Sequence, residues 1–199
     1  MPIRSPMDTR PTVVAFAGRR IDAEGAKAAR FPFANVGAVR AAIGASLERI
    51  APYLLIASAA CGADLMALQA AASGHIRMRM VLPFPPPRFR KSSVVDRPNP
   101  EFWGRLYDDV INRAEKRGDI IVLHCRENDG SAYSAANKAI ICTASAASAA
   151  PSTRRVALIA WDGAPHGDED TTKEFAELAE QSGFTVLSIS TLDPQPVAW

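Results

Sequence analysis

Cysteine is scarce in this chain: Cys61, Cys125 and Cys142 are the only three in 199 residues. Their number is odd and their spacing fits no metal or disulfide pattern, so they read as free thiols in a reducing cytoplasm. No stretch approaches the roughly 18 consecutive apolar residues that a helical membrane span needs. Neither sign of charge dominates, with 23 basic and 21 acidic residues and a net charge of +2. Nothing in that balance favours nucleic acid as a partner. His124 and His166 lack a metal-ligand spacing, and neither a Walker A loop nor a GxGxxG fingerprint is present. No metal and no cofactor is therefore called for. Internal repeats are also lacking. Residues 1–11 carry Pro2, Arg4, Pro6, Arg10 and Pro11 without the apolar core of a signal peptide, and read as a flexible arm ahead of a single domain over 12–199.

What is there is a set of six short apolar runs, at 13–17, 53–57, 78–82, 120–123, 156–161 and 184–189. Most are continuous rather than alternating, the pattern of strands buried on both faces. Helical stripes lie between them. Val36, Val39, Ile43, Leu47 and Ile50 recur every three or four residues, with Asn35 placed to cap them. An Ala/Leu-rich helix over 62–73 stops at Gly74. Phe102, Leu106 and Val110 follow Pro100, which suits a helix start. Further helices are expected over 133–150 and 171–181. This alternation predicts a three-layer, Rossmann-like, doubly wound fold on a mainly parallel sheet of about six strands. Two segments read as irregular: 21–34, and the proline-rich stretch 83–100. Long loops inside compact domains are often functional, and a surface excursion is the bland alternative.

In such sheets ligands bind beyond the carboxyl ends of the strands, near the switch point of the topology. The unusual residues fall there. Gly18, Arg19 and Arg20 follow the first strand, Cys61, Gly62 and Asp64 the second, Pro83, Phe84 and Arg88 the third, and Asp162 and Gly163 the fifth, ahead of Thr171 and Thr172. Small residues before a helix let backbone amides approach a phosphate, so the 60–63 loop is either a phosphate cradle or a tight turn. Arg19 and Arg20 fit bidentate phosphate contact or simple solvation. Cys61 at a helix start is an activated thiol or a small filler. Trp103 and Tyr107 are core residues or part of a face between subunits. Asp162 fits a ribose contact, polarisation of a water, or a turn that closes its strand. Glu174, three residues after Thr171, fits either a carboxylate aimed at a ribose or the partner of Thr171 in a capping box.

These motifs together resemble the SLOG superfamily of Rossmann-like proteins, which includes the Smf/DprA and Lonely Guy (LOG) families. The likeness is greatest to bacterial members with a Gly-His-Arg start. It rests on Gly18-Arg19-Arg20, Cys61-Gly62-Ala63-Asp64-Leu65, Leu82-Pro83-Phe84-Pro85, Phe89, Ser93-Val94, Tyr133, Asn137, Trp161-Asp162-Gly163 and Thr171-Thr172. It spans roughly residues 12 to 190. The resemblance implies a nucleotide pocket lined by these loops, with Tyr133 and Asn137 contributing from a helix. In the LOG branch a Pro-Gly-Gly-x-Gly-Thr-x-x-Glu loop holds the phosphate, and its Glu assists cleavage of an N-glycosidic bond. Here Thr171 and Glu174 match, but Asp168, Glu169 and Asp170 stand where the glycines would be. At an effective dielectric near 20, one like-charge pair about 4 Å apart costs roughly 4 kcal/mol. Arg19 also replaces the histidine, removing an acid/base group.

The expected function is therefore binding of a nucleotide or nucleotide-derived ligand, in a sensor or accessory role. One alternative is an N-glycosidic-bond hydrolase with Glu174 and Asp162 as catalytic groups. Another is a structural or interaction module without a ligand. A homodimer or higher homo-oligomer is expected from pairing of helices, with the Trp103 helix and 133–150 as candidate faces. No membrane partner is expected.

Overall fold

The computed structural model describes residues 10–126, 130–167 and 170–198. Most of the expected arm, and Asp168 and Glu169 of the acidic loop, lie outside the described residues. Six strands form one parallel sheet: β1 (Thr12–Gly18), β2 (Leu54–Ala57), β3 (Arg77–Leu82), β4 (Ile120–Val122), β5 (Arg154–Trp161) and β6 (Thr185–Ser190). Their order across the sheet is β4-β3-β2-β1-β5-β6, every neighbouring pair parallel. The chain steps outward from β1 to β4, then returns across the sheet to β5, beside β1. Among the described residues six α-helices connect the strands: α1 (Val36–Ile50), α2 (Ala63–Ser73), α3 (Pro86–Ser93), α4 (Pro100–Glu115), α5 (Ala132–Ala147) and α6 (Thr171–Gln181). This is the doubly wound, three-layer Rossmann-like arrangement expected from the apolar runs.

Period-two alternation divides the core. Val14 and Phe16 of β1 face one way, onto a cluster with Val39, Ile43 and Leu47 of α1, Leu65 and Leu68 of α2, and Trp103 and Val110 of α4. Val13 and Ala15 face the other way, among Ile140 and Ala144 of α5 and Phe175 and Ala179 of α6. Right-handed crossovers require this division: the connections made while stepping outward lie on one face, those made after the reversal on the other.

Several expectations need correction. The proline-rich stretch is not one long loop, because α3 occupies its first half. Pro86 and Pro87 open that helix, where no intrahelical N–H is needed and the fixed proline φ suits the first turn. Asn35 makes no side-chain cap. Its Nδ2 donates instead to Thr191 O (2.9 Å) and Leu192 O (3.2 Å), tying the segment after β6 to the start of α1. The cap of α6 is Asp170, not Thr171: its carboxylate accepts from the amides of Thr172 and Lys173. Trp103 is fully buried in the first cluster, so it belongs to the core and cannot form an outer face. No helix of the described residues is long and apolar enough to cross a membrane.

Candidate functional site

The strand order reverses between β1 and β5, and a cluster of buried polar side chains lies beyond their carboxyl ends. Gly18 ends β1 so close to its neighbours that a Cβ would stand 2.4 Å from Ala63 Cβ and 2.8 Å from Ala160 O. Arg19 continues the pairing through its amide to Ala160 O (2.8 Å). Its five N–H groups make five bonds. Nε donates to Asp162 Oδ1 (2.8 Å), Nη1 to Asp170 Oδ1 (2.8 Å) and Thr172 Oγ1 (3.3 Å), and Nη2 to Ala164 O (2.9 Å) and Asp170 Oδ2 (2.7 Å). The second Asp162 oxygen bonds the His166 ring. The Arg19, Asp162 and Asp170 side chains are 10%, 4% and 1% exposed, so this is a buried ion cluster. Burial works against both carboxylates, but His166 and Arg19 hold the Asp162 pKa below its ordinary value, and Arg19 with the Lys173 and His166 amides holds Asp170 well below. Burial likewise opposes the Arg19 charge, and bonds to Asp170 and Asp162 raise its pKa regardless.

The small-residue loop after β2 packs tightly against the β1 loop. Gly62 has φ +105, and a Cβ there would lie 2.7 Å from Arg19 O and 2.8 Å from Ile21 N. An isolated antiparallel bridge joins Arg20 to Gly62. The Cys61 amide donates to Ser93 O (3.0 Å) and the Ala63 amide to Arg19 O (3.2 Å). Two amides of the expected cradle are therefore held by the protein itself. Burial pushes the Cys61 thiol up, although Arg20 lies 3.7 Å from its sulfur; the thiol is a packed, neutral group. Asp64 is buried, its Oδ2 accepts a long bond from the Ala60 amide (3.4 Å), and its Oδ1 is buried without a close hydrogen-bond partner. Burial pushes its pKa up to about 7.

Beside this lies a cleft of about 410 Å³, lined by Gly18–Ala23, Ala26–Ala28, Arg30, Arg97, Thr171 and Thr172. Arg20 is paired with Asp96 at its rim. Lys27, Arg30 and Arg97 form no ion pair among the described residues, and Arg97 Nε is buried without a hydrogen-bond partner. Asp22 shapes the loop by accepting from the Arg30 amide (3.1 Å) and the Phe31 amide (3.0 Å), which brings residues 20 to 31 round as one bend. Three of these cations were not singled out by sequence reasoning. Both segments that carry them, 21–34 and 83–100, read as irregular in sequence, and their basic residues are the available signal.

Apart from the Cys61–Asp64 loop, Asp162, Gly163 and Pro83, the expected site residues fall into three groups. Gly18, Arg19, Arg20, Thr171 and Thr172 line the cleft. Phe84, Arg88 and Tyr133 gather at the end of β3: Tyr133 meets Phe84 edge-on at 6.2 Å, Arg88 lies 4.0 Å over the Phe84 ring, and the Tyr133 hydroxyl bonds Ser93 Oγ (2.8 Å). Asn137 and Glu174 join α5 to α6. Asn137 Nδ2 donates to Thr171 O (2.7 Å) and Glu174 Oε2 (3.2 Å), and Ser134 donates to Glu174 Oε1. Neither Asp162 nor Glu174 lines the cleft. Among the described residues no group of three or more His, Cys, Asp or Glu side chains could hold a metal ion.

The fold and its switch-point cleft define a Rossmann-like α/β protein. No family model matches the sequence, and no curated protein matches it. Among solved structures the chain is similar to the X-ray structure of DNA processing protein A (DprA) from Streptococcus pneumoniae, with a TM-score of 0.52 and 15% sequence identity. The likeness covers 92% of this chain and 51% of that one, so the chain spans about half the length of DprA. At that identity the likeness is one of fold.

Proposed function

We propose that residues 12–199 form one SLOG-type domain that binds a nucleotide or nucleotide-derived anion in the switch-point cleft, in a sensor or accessory role. The observation that supports this reading is the cleft itself. It is concave, sits where Rossmann-like sheets take ligands, and presents Lys27, Arg30 and Arg97 without counter-ions among the described residues. Unpaired basic groups on a concave wall attract phosphate, and the sugar and base would lie toward Thr171 and the 22–28 bend. A hydrolytic role draws no comparable support. Both candidate carboxylates, Asp162 and Glu174, are engaged by intramolecular donors.

The test is calorimetric titration with AMP, ADP-ribose, NAD and cyclic nucleotides. At least one should bind, and the Lys27→Ala/Arg97→Ala double variant should weaken it about tenfold or more, since a charge-assisted bond contributes roughly 1.5–3 kcal/mol. A panel in which nothing binds would remove this reading.

A further inference from the structure

A groove of about 790 Å³ runs between α1 and α2. It is larger than the switch-point cleft and shares no lining residue with it. Gly37, Ala41 and Gly44 form its α1 wall, with Arg40 and Glu48 beside them, and Ala70 lies on the α2 wall. Surface helices usually turn charged side chains outward. Here Gly37 and Ala41 are exposed and Gly44 is half-buried, and Arg40 and Glu48 are the only charged residues among those that line the groove.

The fold of the single chain does not require the two glycines. A Cβ at Gly37 or Gly44 would meet nothing within 4 Å, and neither residue has a positive φ. Each weakens the helix relative to alanine. What their missing side chains allow is close approach from outside, toward the short end of the usual helix separation of about 8–10 Å.

The two charges indicate what approaches. Arg40 and Glu48 are both exposed, and their side chains form no ion pair or hydrogen bond among the described residues. They lie about 12 Å apart along the helix, placed evenly about Gly44, one turn before it and one turn after. A helix that crosses antiparallel at Gly44 fits this face if it sets a negative group against Arg40 and a positive one against Glu48. α1 is itself such a helix. In a two-fold antiparallel pair centred on Gly44, Arg40 stands opposite Glu48 of the partner subunit, and Glu48 opposite the partner subunit's Arg40. A parallel pairing would set like charges together.

We propose that this groove is the interface of a homodimer, in which α1 packs antiparallel against α1 of a second copy about a two-fold axis at Gly44. The small residues supply the contact, and the two Arg40–Glu48 pairs fix its direction and register. The dimer does not depend on the nucleotide reading, since no residue of the cleft takes part.

The experiment is sedimentation velocity on the full chain at low ionic strength over a wide range of protein concentration. The wild type should form a dimer as concentration rises, and Gly44→Arg, which brings two cations together at the axis, should remain a monomer. Arg40→Glu and Glu48→Arg each set like charges together twice within their own homodimer, so each should dissociate about tenfold or more readily. An equimolar mixture of these two variants should regain the association of the wild type, because every cross pair then joins opposite charges. Both side chains are exposed, and circular dichroism should show the fold of each variant unchanged. A wild type that stays monomeric would overturn the proposal. So would single reversals that leave the dimer as it is, or a mixture that associates no better than its components.

Discussion

Arg19 is the residue on which the switch point depends. Replacing it with glutamine leaves Asp170 buried without its main partner and Asp162 without its guanidinium partner, and breaking a buried ion pair in this way costs about 3–5 kcal/mol. Urea denaturation of Arg19→Gln should show a loss of that order. Arg19→Lys should restore little, because an ammonium group cannot reproduce the fork. The pH dependence follows from the sign of the shifts. Both carboxylates have folded pKa values below the unfolded ones, so their contribution is present above an unfolded value of about 3.9 and is lost as pH falls through the folded values. Acid titration of stability should therefore be less steep in Arg19→Gln than in the wild type.

Asp64 has the opposite sign. Its folded pKa is raised to about 7, so between about pH 4 and 7 the folded state binds the extra proton and stability falls as pH rises. A shift of that size corresponds to up to about 4 kcal/mol at pH 8. Asp64→Asn should be close to neutral near pH 4 and increasingly stabilising relative to the wild type toward pH 8, as read from denaturation midpoints. Equal differences at the two pH values would show that the carboxyl is not protonated in the folded protein.

At the scale of elements, glycines of different kinds separate clearly. Gly37 and Gly44 lie inside α1, and a Cβ at either would meet nothing within 4 Å. Helical glycine costs about 0.5–1 kcal/mol relative to alanine, so Gly37→Ala and Gly44→Ala should each stabilise by about that amount in thermal melts. Gly18→Ala should destabilise, since the new methyl would press on Ala63 and the Ala160 carbonyl. The same scale explains what was legible. The continuous apolar runs located all six strands and the helical stripes located five helices, because burial on one or two faces is a property of local pattern. α3 was missed because proline marks a loop and a helix start alike. Asn35 was misread because a capping residue type does not reveal a distant acceptor, here the carbonyls of Thr191 and Leu192.

At the scale of the whole molecule, the reversal of strand order brings Gly18, Arg19, Asp162 and Thr172 together at one rim, although more than 140 residues separate the ends of that set. Ligand binding there should depend on salt, because Lys27, Arg30 and Arg97 attract through charge at a partly open surface. Affinity for any anionic nucleotide that binds should fall as ionic strength rises, and the slope should be shallower in the Lys27→Ala/Arg97→Ala variant. A salt-independent affinity would place the anion elsewhere.

By itself the sequence determined the strands, most helices, their alternation, and hence the parallel sheet with its unusual residues at the carboxyl edge. These depend on interactions between near neighbours and on the periodicity of burial. Only the tertiary structure decided the roles of the charged residues. Arg19 carries the same fork whether it meets a ligand or a carboxylate of its own chain, and the choice is made by where Asp170 comes to lie. The same holds for Lys27, Arg30 and Arg97, ordinary surface cations in sequence that become one wall of a cleft because Asp22 bends their loop and the sheet brings the 83–100 segment beside it.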